Sequence, residues 1–180
     1  MSHDVRMGHF SLISKFSQAE LSALKLEGEV SQHRVLWDQV DDWRTRSAAV
    51  LRDEKHPLVL TGLSAVWAYG LCPEPLPHTA STVSKDRIRM SENRSLRIEE
   101  RRLGSEEYWL HGTAGVTHPL RTITDLLRQE NFVHNADLSC ITSVMTHFGI
   151  SKAEVIVCLK QLKSVPYKRT ALMRAEQLSI

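Results

Sequence analysis

The residue pattern of this 180-residue chain changes its period at Pro119. Before Pro119, short runs that favour strands are separated by proline, glycine and polar residues. These runs are 58–60, 79–83, 96–102 and 108–110. After Pro119, apolar residues recur three or four positions apart, which is typical of amphipathic helices. Strand-like runs followed by helical stripes predict an α+β fold, with a small mixed β-sheet flanked by helices and a helical C-terminal subdomain.

Local signals place the starts of several helices. Pro119 fits the first position of a helix, where its missing N–H is no loss. Ser151 and Glu154 form a capping box that begins a later helix, and Ser17 and Glu20 form another near the N-terminus.

The N-terminal segment reads as a unit of its own. After the helix that begins at Ser17, residues 30–37 favour a strand, and a second helix is predicted from near Asp38. This helix–strand–helix arrangement predicts a reduced winged-helix element over 1–54, followed by an α+β domain with C-terminal helices over 55–180.

Composition excludes several classes of protein. The net charge is only +2, so the overall field does not favour nucleic acid. The three cysteines are far apart in sequence and form no C-x-x-C motif, which predicts that each is a small buried apolar residue and that neither a zinc site nor a disulfide is present. No apolar run is long enough for a membrane span and no signal-peptide core is present, which predicts a soluble, cytoplasmic protein without membrane contact.

The ionisable residues show no established catalytic or metal-binding spacing. The nine histidines contain no H-x-x-x-H or H-E-x-x-H pair, so no metal or cofactor is expected. His111 and His118 lie in predicted loops near basic residues, which leaves an acid–base pair for nucleic-acid cleavage as an alternative. The adjacent carboxylates Glu99 and Glu100 diverge on a strand and are interpreted as solvated charges.

Positive charge is concentrated between residues 85 and 102. Arg87 and Arg89, and then Arg97 and Arg101, alternate along two strand-like runs of a predicted hairpin whose turn lies near Ser95. Alternation would place these guanidinium groups on one face, where they could contact phosphates. Acidic residues interleave with them, so a solvated strand face is an equal alternative. The candidate nucleic-acid-binding residues are Arg87, Arg89, Arg94, Arg97, Arg101 and Arg102.

Arg121 and Asp125 lie four residues apart on the helix that Pro119 begins. This spacing predicts an ion pair. If the pair is buried against the sheet, it would fix the orientation of the helix, and a structural role is favoured over a catalytic one.

Two segments carry a family resemblance. Residues 60–71 resemble the small-residue helix that precedes a proline-containing loop in AbiEi-family antitoxins, and residues 116–128 resemble a helix start of the same family. The likeness extends over roughly residues 17–178. The positions that carry it are Ser64, Gly70, Thr117, Arg121, Thr122, Asp125 and Leu126.

The resemblance implies a non-enzymatic transcriptional regulator of a bacterial type IV toxin–antitoxin pair. Such a protein binds operator DNA through an N-terminal winged helix and opposes a nucleotidyltransferase-like toxin, and a homodimer is one expected form. The residues before Leu60 are few and slightly acidic, which departs from a full winged helix with a basic recognition helix. The alternatives are an interaction module that neutralises a partner without binding DNA, and a histidine-dependent nuclease.

Overall fold

A computed structural model describes residues 42–51, 54, 56–83, 95–101, 103–163 and 165–178, together with Ala23. The chain divides into two compact units, Met1–Asp41 and Asp42–Ile180. The predicted capping box at Ser17, the strand at 30–37 and the reduced winged helix fall outside the described residues. The helix predicted from near Asp38 is described from Trp43 onward and belongs to the second unit.

The second unit has the predicted α+β composition. Its strands are β1 (Leu58–Leu60), β2 (His78–Thr82), β3 (Leu96–Glu99), β4 (Tyr108–His111) and β5 (Ala114–Thr117). Its helices are α1 (Trp43–Leu51), α2 (Leu63–Ala68), α3 (Pro119–Leu127), α4 (His134–Phe148), α5 (Lys152–Gln161) and α6 (Lys168–Glu176). A 3₁₀ turn, Ser105–Glu107, precedes β4.

The five strands form one mixed sheet in the order β3-β2-β1-β5-β4. β1 is antiparallel to β2 and parallel to β5, and β4 and β5 form an antiparallel hairpin. The first arm of the predicted hairpin, which carries Arg87 and Arg89, falls outside the described residues, and β2 and β3 are parallel. Their register sets Leu96 beside the buried His78 and Ile98 beside the buried Ala80, which keeps the apolar positions of β3 next to buried residues of β2.

One position of β5 must be a glycine, Gly115. A Cβ atom on Gly115 would collide with the carbonyl oxygen of Trp109 and would lie 3.2 Å from the Val59 side chain. The close approach of β4 and β1 on either side of β5 therefore requires glycine at this position.

Two apolar clusters hold the unit together. One joins α1 and α2 to the sheet and includes the buried Leu51, Leu58, Trp67 and Val116. The other packs the C-terminal helices together and is built on Ile123, Leu126, Ile141, Met145, Val155 and Leu159. α3 contributes to the second cluster and begins directly after β5, so it links the sheet to the helical part.

The helix starts agree with the local signals. Pro119 occupies the first turn of α3. Ser151 Oγ accepts a hydrogen bond from the Glu154 N–H at 3.3 Å, and Glu154 Oε2 accepts one from the Ser151 N–H at 2.8 Å, which confirms the predicted capping box. No helix in the described part of the chain combines the length and apolar composition needed to cross a bilayer.

An aromatic cluster packs α1 against the β4 edge of the sheet. The Trp109 ring stacks on Trp43 with centroids 5.8 Å apart and also packs against His118 at 4.6 Å. Tyr69 and Phe148 complete the cluster from α2 and α4, with their ring centroids 5.0 Å apart. Ring contacts of this kind add to the burial of apolar surface.

Candidate functional site

A cleft of about 770 Å³ opens where β1 ends and the chain turns into α2. One side is polar and includes Thr61, Ser64 and Thr79. The lining also includes four arginines. One lies on β3, one in the segment after β3, one within α3 and one at the C-terminal end of α3. These are Arg97, Arg101, Arg121 and Arg128. Leu76 and Tyr167 belong to an apolar side.

Asp125 is the centre of the charged network. Its side chain is only 2% exposed, and its carboxylate contacts three guanidinium groups. Arg121 Nε lies 2.9 Å from Oδ2, Arg101 Nη1 lies 3.3 Å from Oδ2, and Arg128 Nη1 lies 3.3 Å from Oδ1. A buried carboxylate needs such partners, because an unpaired charge is costly away from water.

Two further carboxylates compensate two of these arginines. Glu107 Oε1 lies 2.6 Å from Arg121 Nη1, and Glu99 Oε2 lies 2.7 Å from Arg101 Nη2. Arg128 instead donates its Nε–H to the carbonyl of Pro166 at 3.2 Å. Among the described residues, Asp125 is therefore the one acidic partner of Arg128, and it is shared.

The electrostatics of the two α3 arginines differ accordingly. Burial opposes the charge of Arg121, but Asp125 and Glu107 outweigh that effect and raise its pKa. Burial lowers the pKa of Arg128, and the positive charges of Arg121 and Arg101 lower it further against the attraction of Asp125. Arg128 is thus the least compensated cation of the network.

The polar side of the cleft contains an unpaired hydroxyl. Thr61 is fully buried, and its Oγ1 has no hydrogen-bond partner among the described residues. The neighbouring Ser64 is satisfied, because its Oγ accepts the Thr79 N–H at 2.8 Å. Between them, Gly62 adopts a left-handed φ of 57°, and a Cβ there would lie 3.0 Å from Gln129 Nε2.

The apolar side is exposed and contains a strained residue. Leu76 is 53% exposed and Tyr167 is 47% exposed, although both are large and apolar. Tyr167 has a φ of 58°, a left-handed conformation that bulky residues rarely adopt. The charge of Glu130, with a hydrogen bond from the Tyr167 hydroxyl, raises the pKa of that hydroxyl.

The structure places only part of the predicted nucleic-acid-binding set. Arg97 lies on the edge strand β3 and Arg101 lies two residues beyond it, and both line the cleft. Arg87, Arg89, Arg94 and Arg102 fall outside the described residues. Sequence analysis missed Arg128 and Thr61, and the one signal for Arg128 was its position three residues after Asp125.

The residues that carry the family resemblance make contacts between neighbouring elements of the fold. The Tyr69 hydroxyl donates a hydrogen bond to the Thr117 carbonyl, and burial raises the pKa of Tyr69. The hydroxyls of Thr117 and Thr122 are 2.7 Å apart. Gly70 ends α2 with a φ of 80°. These contacts join α2, β5 and α3, and the predicted Arg121–Asp125 ion pair is present in the network described above.

His111 and His118 are not brought together. Tyr108 pairs with Thr117 and His111 with Ala114, so the two histidines lie at opposite ends of the β4–β5 hairpin, about 13 Å apart along the strands. The geometry gives no support to a shared acid–base role. Within the described ranges, no group of three or more histidine, cysteine, aspartate or glutamate side chains is arranged to hold a metal ion.

Two cysteines that are distant in sequence meet in the fold. Cys72 and Cys140 are half-buried free thiols, as is Cys158. A hydrogen bond from Cys72 lowers the pKa of Cys140 to about 7. Burial raises the pKa of Cys158, and the nearby Glu107 adds to that effect.

No family model, curated protein or solved structure matches this chain. The resemblance to AbiEi-family antitoxins therefore depends on the two sequence segments alone.

Proposed function

We propose that this protein is an AbiEi-like antitoxin that regulates transcription of its own toxin–antitoxin pair by binding operator DNA. The observation that carries the proposal is the grouping of arginines at the β3 edge of the sheet. Arg97 is 69% exposed there, and its nearest acidic partner, Glu99, is 3.6 Å away. A weakly paired guanidinium group on an exposed edge is free to turn toward a phosphate.

The proposed role requires no catalysis by the described residues. Phosphate contacts from arginines supply affinity and orientation, while contacts to base edges supply specificity. Two copies of the chain on one operator would double the number of phosphate contacts, so we propose a homodimer as the DNA-bound form. The proposed antagonist is a nucleotidyltransferase-like toxin, by resemblance to the family.

The test is a titration of the full chain with the DNA upstream of its own gene at several salt concentrations. Each phosphate contact contributes a slope of about 0.9 in log K against log salt. Arg97→Ala should weaken binding and reduce that slope by about one contact. Arg44→Ala is the matched control, because Arg44 is also exposed but pairs with Asp42 outside the cleft. Absence of binding at low salt would refute DNA binding.

An interaction module that acts without DNA is the second candidate. Val157 on α5 and Met173 on α6 are large apolar side chains that remain exposed on two neighbouring helices. Exposed apolar surface is typical of protein contact sites. This candidate predicts that Arg97→Ala, R101A and their combination still rescue cells from the toxin, whereas Met173→Asp does not. The opposite pattern of rescue would favour DNA binding.

A further inference from the structure

Three of the four arginines that line the cleft contact one carboxylate. Arg101, Arg121 and Arg128 all contact the single carboxylate of Asp125, at 2.9 to 3.3 Å. Recognition of a nucleic-acid strand uses cations spaced along a groove to follow successive phosphates. Convergence on one carboxylate instead fits one compact anionic group.

Charge compensation in the cleft is incomplete. Glu99 lies within 2.7 Å of Arg101 and Glu107 within 2.6 Å of Arg121, whereas Arg97 and Arg128 have acidic contacts only at 3.6 and 3.3 Å within the described part of the chain. Burial is the main cause of the lowered pKa of Arg128, and the positive charges of Arg121 and Arg101 lower this pKa further. An added anion would stabilise the charged form of Arg128.

The Thr61 hydroxyl is an independent sign of a missing partner. Thr61 lines the same cleft and is fully buried, and its Oγ1 lacks a hydrogen-bond partner among the described residues. An unpaired buried hydroxyl destabilises the folded state, so buried polar groups are normally satisfied. A ligand that enters the cleft would supply the partner.

The apolar residues that line the cleft suit a flat apolar group. Leu76, Pro77 and Tyr167 are exposed there, and the Tyr167 backbone is held in a strained left-handed conformation. Backbone strain of this kind is found preferentially at binding sites. Arg128 donates to the carbonyl of Pro166, next to Tyr167, so the charged and aromatic sides adjoin. A volume of about 770 Å³ lies within the range of small-molecule sites.

We propose that this cleft binds a nucleoside 5′-monophosphate, with the phosphate on Arg128 and Arg97 and the nucleoside against Tyr167 and Leu76. Thr61 donates its hydroxyl to the ligand. The site shares Arg97 with the proposed DNA contact, but its test contains no DNA, so the two proposals can fail separately.

The test is calorimetric and thermal-shift titration of the full chain with AMP, GMP, CMP and UMP. We expect saturable binding of at least one of them with a Kd of about 1 mM or tighter. Arg128→Gln should weaken it about tenfold or more, because a hydrogen bond between charged groups is lost. Arg97→Gln, at an exposed position that leaves the fold intact, should also weaken it. Arg44→Gln, outside the cleft, should bind as the parent protein does.

Two variants separate a ligand site from a purely structural ion network. Thr61→Val should raise the Tm of the ligand-free protein, since it removes an unpaired buried hydroxyl, and should weaken nucleotide binding at the same time. Tyr167→Ala should weaken nucleotide binding about fivefold or more while leaving binding of inorganic phosphate unchanged.

Four outcomes would overturn the proposal. They are absence of binding by all four mononucleotides at millimolar concentration, equal affinity for inorganic phosphate and mononucleotides, unchanged affinity in both arginine variants, and tighter binding of a 5′-phosphorylated tetranucleotide. The last outcome would assign the cleft to the end of a nucleic-acid strand.

Discussion

Replacing Asp125 by asparagine tests whether the buried carboxylate holds the arginine network together. Asparagine has nearly the same shape but no charge, so the substitution leaves Arg101, Arg121 and Arg128 without their common counter-ion. The amide keeps one acceptor oxygen, and its NH₂ group faces cations that it cannot satisfy.

The expected cost follows from the burial of the network. Removing one partner of a buried ion pair costs about 3–5 kcal/mol. The side chains of the three arginines remain 15% to 26% exposed, so water recovers part of their solvation. We therefore expect a loss near the lower limit, about 3 kcal/mol in the free energy of unfolding. For a unit of this size that corresponds to a fall in Tm of about 6–12 °C.

The assay is urea and thermal unfolding of the full chain followed by circular dichroism, with Asp42→Asn as the matched control. Asp42 also pairs with an arginine, Arg44, at 2.7 Å, but its side chain is 41% exposed. Exposed pairs contribute about 0–1 kcal/mol, so the control should change little. If Asp125→Asn and Asp42→Asn lose the same stability, the network does not hold α3 in place and the reasoning is wrong.

Three smaller changes have defined outcomes. Ser64→Ala should cost about 1–3 kcal/mol in urea unfolding, because a backbone N–H of β2 loses its acceptor. Ser151→Ala should cost about 1 kcal/mol by removing the cap of α5, and Ser151→Asp should retain the stability. Iodoacetamide should alkylate Cys140 before Cys158, since its lowered pKa of about 7 produces thiolate as the pH rises between about 6 and 8. Equal rates for the two thiols by mass spectrometry would contradict the last expectation.

The parts of the fold that could be predicted are those encoded by neighbouring residues. Pro119 and the Ser151 capping box begin helices through contacts within one turn, and the structure places both as expected. β5 gave no strand signal, because Ala114 and Gly115 have low strand propensity. It forms because β1 and β4 pair with it on both sides, and such pairing is not visible in a local window.

In the candidate site, too, only the contacts between residues close in sequence could be predicted. The Arg121–Asp125 pair could be predicted because both residues lie on one helix, four positions apart. The approach of Arg101 to Asp125 could not, since Arg101 comes from the segment after β3 and reaches α3 only in the folded sheet. The parallel alignment of β2 and β3 likewise depends on tertiary packing.

A substitution at Gly115 would affect the packing of elements beyond β5. A methyl group there would push against the backbone of β4 at Trp109, and Trp109 is the ring on which Trp43 of α1 stacks. Displacement of the edge strand would therefore loosen a helix that lies more than 60 residues away in sequence. Amide hydrogen exchange in α1 would be a sensitive reporter of events at the β4 edge of the sheet, because the opening of one element would expose the other.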